Sequence, residues 1–112
     1  MSADEIQEAL PLAPHDLLVL SVLADGPMHG YGLIKAVEAR SEAGVHLDPA
    51  NLYRLLRRMR TNEWIEDVEA QVDGRRTHAI TDLGQRVLAA EVARLEHLLV
   101  LTRPALARGG QG

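Results

Sequence analysis

The sequence predicts a mostly α-helical domain carrying a two-stranded β-hairpin, with one further long helix at its C-terminal end. Three observations predict it. Apolar residues recur at helical spacing in successive segments before Asn62, the pattern turns strand-like on either side of Asp73-Gly74, and helical spacing returns after Thr81. At 112 residues there is room for one domain, and 46% hydrophobic with 25% charged residues is globular rather than disordered composition.

Ser2 and Glu5 have the spacing of a capping box, which predicts a short helix over about 3–10, broken by Pro11 and Pro14. Residues 1–13 thus read as an N-terminal arm. From Asp16 to Ala24 the chain is nearly all apolar, a buried helix stopped by Gly26-Pro27. A second helix covers about 29–42, with Leu33, Ile34 and Val37 on one face and Gly44 closing it. Gly30 and Gly32 are poor helix formers, and close approach of another backbone is expected there. The third helix, about 49–61, has Asp48 as N-cap and Pro49 at its first position. Leu52, Leu55, Leu56 and Met59 form one apolar stripe, and at about 100° per residue Arg54, Arg57 and Arg58 fall on the opposite side. Residues 64–69 and 76–81 read as the strands of the hairpin. Thr81 caps a helix over 82–104, which Pro104 is expected to stop, and the glycine-containing tail 105–112 reads as disordered.

Three helices followed by a hairpin is the order of a winged helix-turn-helix, here spanning 14–81. The formal net charge of −4 argues against a nucleic-acid partner only if the charge is evenly spread, and it is not. Residues 1–34 hold five acids and no Lys or Arg, and residues 61–73 repeat that balance. Residues 53–60 hold four arginines and no acid, and Arg75-Arg76 follow Gly74. Both basic blocks lie where this architecture meets a duplex, on the third helix and at the wing tip. A solvated charged face is the plainer reading of either block taken alone.

GPMHGYGL at 26–33, PANLYRLLRRM at 49–59, NEWIE at 62–66 and DGRRTHAITDLGQRVL at 73–88 resemble the PadR family of bacterial transcriptional regulators, from about Leu17 to Glu91. The resemblance implies a homodimeric DNA-binding repressor that dimerises through its C-terminal helix, often releasing its operator when a small aromatic or drug-like compound binds. Two departures stand out. Thr77-His78-Ala79-Ile80 replaces the family's usual aromatic pair, and Asn51 stands where a Gly or Ser is common.

The expected DNA-binding residues are His29, Tyr31, Asn51, Tyr53, Arg54, Arg57, Arg58, Gly74, Arg75 and Arg76. Asn can pair with adenine, Tyr hydroxyls and arginines hold phosphates, and the second helix's N-terminal amides can do the same. Each has a plainer structural reading too: Tyr53 edging the core, Gly30 and His29-Tyr31 making a turn, one wing arginine covering the hairpin. Leu88, Val92, Leu95, Leu98 and Leu99 form a seam too wide for a short monomer to cover, which predicts a homodimer and hence a palindromic site. The effector site is unassigned. Trp64 reads as closing the wing base, and with no aromatic residue after it any effector should need an aliphatic pocket.

Without cysteine there is neither a disulfide framework nor a thiolate site, which suits a reducing cytoplasm. The uninterrupted apolar runs Leu17–Leu20 and Leu98–Leu101 are far below a membrane span, and the acidic start is unlike a targeting segment. His15, His29, His46, His78 and His97 show no metal-ligand spacing, and neither Ser21 nor Ser41 sits on a nucleophile elbow. The expectation is a cytoplasmic, non-enzymatic, cofactor-free and metal-free regulator that binds double-stranded operator DNA as a dimeric repressor. The alternative is a winged-helix module that meets a protein rather than DNA.

Overall fold

The computed structural model describes residues 3–69 and 76–109. Helix α1 covers Ala3–Glu8, α2 Pro14–Asp25, α3 Gly30–Arg40, α4 Pro49–Thr61 and α5 Asp82–Gly109. Strands β1 (Met28–His29), β2 (Ile65–Glu69) and β3 (Arg76–Ile80) form one antiparallel sheet in the order β1-β3-β2. The fold is the expected mostly helical one with a wing.

Helix α2 is the centre of the core because it is apolar on every side: Val19, Leu20, Val22 and Leu23 are all buried. Leu33 and Val37 of α3, the Leu52–Met59 stripe of α4, and Leu83 and Val87 of α5 close around it. The two turns that follow α3 and α4 are built alike. After α3, Ala43 N donates to Glu38 O (2.8 Å) and Glu42 N to Ala39 O (3.2 Å), with positive φ at Glu42 and Ala43. After α4, Trp64 N donates to Met59 O and Glu63 N to Arg60 O (both 2.9 Å), with φ of 63° at Glu63. Both are Schellman closures made without glycine. Helix α3 therefore ends at Arg40, two residues before the expected stop, and Gly44 lies beyond the left-handed residues.

Strand β1 was not foreseen. It is two residues long, and Met28 and His29 pair with His78 and Thr77 of β3. The glycines that open α3 face side chains rather than another backbone: Gly30 lies 3.5 Å from Leu52 Cδ2 and Gly32 2.9 Å from Met28 Cγ, measured to an added Cβ.

Helix α5 runs through Pro104 to Gly109, past the expected stop, so 105–109 is helical and only 110–112 lie outside the described residues. The proline removes one backbone hydrogen bond and its ring crowds the carbonyl four residues earlier. That carbonyl belongs to Val100, on a stretch exposed throughout, where water can satisfy it and the helix can bend. The proposed capping box partner Ser2 and the Asp73-Gly74 turn also fall outside the described residues.

Candidate nucleic-acid interface

Helix α4 is positioned by its ends. Asp48 Oδ1 accepts from Asn51 N at 2.9 Å, the N-cap anticipated from sequence, and Pro49 follows. The buried stripe Leu52, Leu55, Leu56 and Met59 faces the core, leaving Asn51, Tyr53, Arg54, Arg57 and Arg58 exposed. Tyr53 is 71% exposed, and Tyr31 on α3 62%. Exposure of such large rings on a small domain is unusual and marks a surface made for contact.

The arginines are not equivalent. Arg57 has no side-chain partner among the described residues. Arg54 donates through Nη2 to Asn51 Oδ1, whose amide nitrogen donates to Asp48 Oδ2 at 2.6 Å. Arg58 Nη2 reaches both carboxylate oxygens of Asp16 at 2.7 Å, across 42 residues of sequence. Asp16 is 7% exposed, so Arg58 supplies the charge that lets a carboxylate sit under α4. Its guanidinium is thus occupied within the fold, although half its side chain remains in solvent.

The wing is tied to α4 through Asp67 on β2. Its carboxylate meets Arg60 Nη1 at 3.3 Å, Arg76 Nε at 3.6 Å and His78 Nδ1 at 3.1 Å. His78 is buried, and burial is the chief cause of its lowered pKa, with Asp67 pulling the other way. It is therefore neutral near pH 7, donating its Nδ1–H to Asp67. His29 uses the opposite tautomer, for its Nδ1 accepts from Gly32 N at 3.0 Å and caps α3. The first-turn amide of α3 is thereby satisfied inside the protein. Gly74 and Arg75 lie outside the described residues.

Between α3, α4 and β3 lies a cleft of about 580 Å³, lined by the apolar Ile34, Leu52 and Leu56, by Tyr31 and Tyr53, and by Arg60, Arg76 and His78. Lys35 Nζ stands 5.0 Å from the Tyr31 ring centroid. Both tyrosines of the chain thus stand at this face. Trp64 is buried in the core at the base of the wing. Of the expected dimer residues, Leu88 packs against the chain's own core, Leu95 is half-buried, and Val92, Leu98 and Leu99 are exposed.

Sequence reasoning missed Asp16, Asp67 and Glu91. Glu91 is 1% exposed on α5, accepts from Leu12 N at 2.7 Å, and is paired with Arg94. The Arg94 hydrogen bond, with that from Leu12, holds its carboxyl below the usual carboxylate range despite burial. A signal for Asp16 was available: it is an acid at the entry to a helix otherwise apolar on all sides. Among the described residues no helix is long and apolar enough to cross a membrane, and no group of three His, Cys, Asp or Glu could hold a metal ion.

Residues 19–90 match the family model described as Transcriptional regulator PadR-like family. An uncharacterized 37.1 kDa protein in a Streptomyces fradiae transposon is 36% identical over 83 residues, 73% of this chain but 23% of that protein. The chain therefore spans about a quarter of the length of that curated relative. A PadR family transcription regulator from hypervirulent Clostridium difficile superposes with a TM-score of 0.72 at 21% identity, covering 84% of this chain and 99% of the other. Bacillus subtilis PadR, in a complex with operator DNA, gives a TM-score of 0.59 at 15% identity, covering 69% and 45%. At these identities the structures show a shared fold, whereas the family model matches well over half of the sequence. The chain belongs to the PadR-like family of transcriptional regulators.

Proposed function

We propose that the protein is a sequence-specific DNA-binding regulator, acting as a dimeric repressor on a palindromic operator, with α4 in the major groove and the wing beside it. The observation that carries this reading is the outward face of α4, where Tyr53, Arg54 and Arg57 stand together in solvent on a helix capped and pinned at its core side. The binding of operator DNA by Bacillus subtilis PadR supports it. Exposed Val92, Leu98 and Leu99 support pairing of α5 with its counterpart in a second copy, which would set two reading helices about 34 Å apart or a multiple of that. Release by a small molecule belongs to the same reading, and the cleft beside Tyr31 and Tyr53 has a size suited to one.

The test is fluorescence anisotropy with the duplex upstream of the protein's own gene, titrated at several salt concentrations. Arg57→Ala should weaken binding to all sequences and flatten the logarithmic salt slope by about one unit. Binding that ignores salt, or survives alanine at Arg54, Arg57 and Arg75 together, would sink the reading.

A second reading has one observation in its favour. Arg60 and Arg76 are paired with Asp67, as expected of a winged helix that meets a protein partner and need not hold its arginines free for phosphates. Arg57, without a partner among the described residues, favours DNA.

A further inference from the structure

We infer that Arg54 reads a guanine in the operator half-site and that Asn51 is the residue that aims it. The inference rests on the DNA-binding reading above and deepens it to the identity of one base pair.

Asn51 has an amide with one donor end and one acceptor end. On one side stands the Asp48 carboxylate, which can only accept, and on the other the Arg54 guanidinium, which can only donate. The amide is therefore oriented by chemistry, with Nδ2 on Asp48 and Oδ1 on Arg54. Turned the other way, it would set oxygen against carboxylate and nitrogen against guanidinium. Asp48 is itself immobilised, because its second oxygen caps α4 at Asn51 N. A relay thus runs from the helix cap through Asn51 to Arg54, and it fixes one edge of the guanidinium while the side chain stays exposed.

Two consequences follow for base reading. Bidentate recognition of adenine needs both the oxygen and the nitrogen of an Asn amide, and here the oxygen is engaged by Arg54. Arg54 keeps the donors on its other edge, and a guanidinium with one edge held presents a planar fork that matches O6 and N7 of guanine. The relay also restrains Arg54 from swinging to a phosphate, where it would add affinity without sequence preference. Asn51 is then a positioning residue, and Arg54 touches the base.

The experiment is selection of bound duplexes from a randomised pool by the full chain, followed by titration of single-position variants of the enriched site. Wild type should enrich G at one position of each half-site, with other bases about tenfold or more weaker. Arg54→Ala should remove that preference at that position alone. Asn51→Ala should blunt the preference at that same position by a larger factor than it lowers affinity for random duplex, and the double variant should be no worse than Arg54→Ala. Enrichment of A at that position, erased by Asn51→Ala and not by Arg54→Ala, would overturn the inference and leave the DNA-binding reading standing. Arg54→Ala weakening all sequences equally would overturn it too. Absence of any salt-sensitive duplex binding by wild type would overturn both.

Discussion

Asp67 gathers Arg60 from α4, Arg76 from β3 and the buried ring of His78 on one carboxylate. His78 is the titrating member. Its pKa is lowered from 6.5, mainly by burial, so below about pH 6.5 the unfolded chain takes up a proton that the folded chain still refuses. The His78 contribution should make stability fall as pH drops through that window, from 6.5 down to the lower folded value. Thermal melts at a series of pH values check this, and His78→Gln should flatten the profile across that interval. A wild-type melting temperature that rose on acidification from pH 6.5 would contradict the assignment. At this scale the sequence showed the cations but not their partners. Arg54, Arg57, Arg58 and Arg60 look alike in a helical projection, yet Asp16 lies 42 residues from Arg58, and only folding brings them within 2.7 Å. Asn51 was legible as a polar residue of the first turn, but its engagement with both neighbours needs rotamers that no spacing encodes.

Elements whose signals are local were readable. Helix α4 was legible end to end because cap, first-turn proline and apolar stripe all lie within its own residues. Strand β1 was not, since two residues carry no periodicity and exist as a strand only through β3, some fifty positions away. Pro104 misled because the rule for a helix stop assumes a partner for every carbonyl, and a projecting helix can leave one to water. The join between wing and α5 is held by three hydrogen bonds of Thr81. Thr81 Oγ1 donates to Glu63 O at 2.6 Å and accepts from Gly84 N at 3.0 Å, while Thr81 N donates to Trp64 O at 3.0 Å. A Cβ on Gly84 would stand 2.1 Å from Trp64 O, which is backbone and cannot swing aside. Gly84→Ala should therefore cost about 3 kcal/mol, despite alanine's better helix propensity, and lower the melting temperature by roughly ten degrees or more. A thermal melt showing no loss would mean that α5 can slide along the turn.

The whole molecule is longer than its size requires. Its radius of gyration is 16.2 Å, against about 13 Å for a compact chain of this length, and its longest extent is 59 Å. The excess is α5, which leaves the domain after Leu95 and carries Leu98, Leu99, Val100, Leu101 and Leu106 into solvent. An apolar projection of that length needs covering, and on the dimeric reading proposed above a second copy would supply the matching surface. Leu99→Glu should therefore yield a species near 12.3 kDa by light scattering where wild type gives about twice that. A wild-type protein already monomeric at micromolar concentration would refute it.

The bond from Leu12 to Glu91 bears on where this chain can be cut. Removing the arm would leave a carboxylate 1% exposed without the backbone amide that it accepts from, and shortening α5 before Arg94 would strip its counter-charge. A truncated chain that keeps this carboxylate satisfied should therefore begin before Leu12 and end after Arg94, so two stretches far apart in sequence share one buried charge.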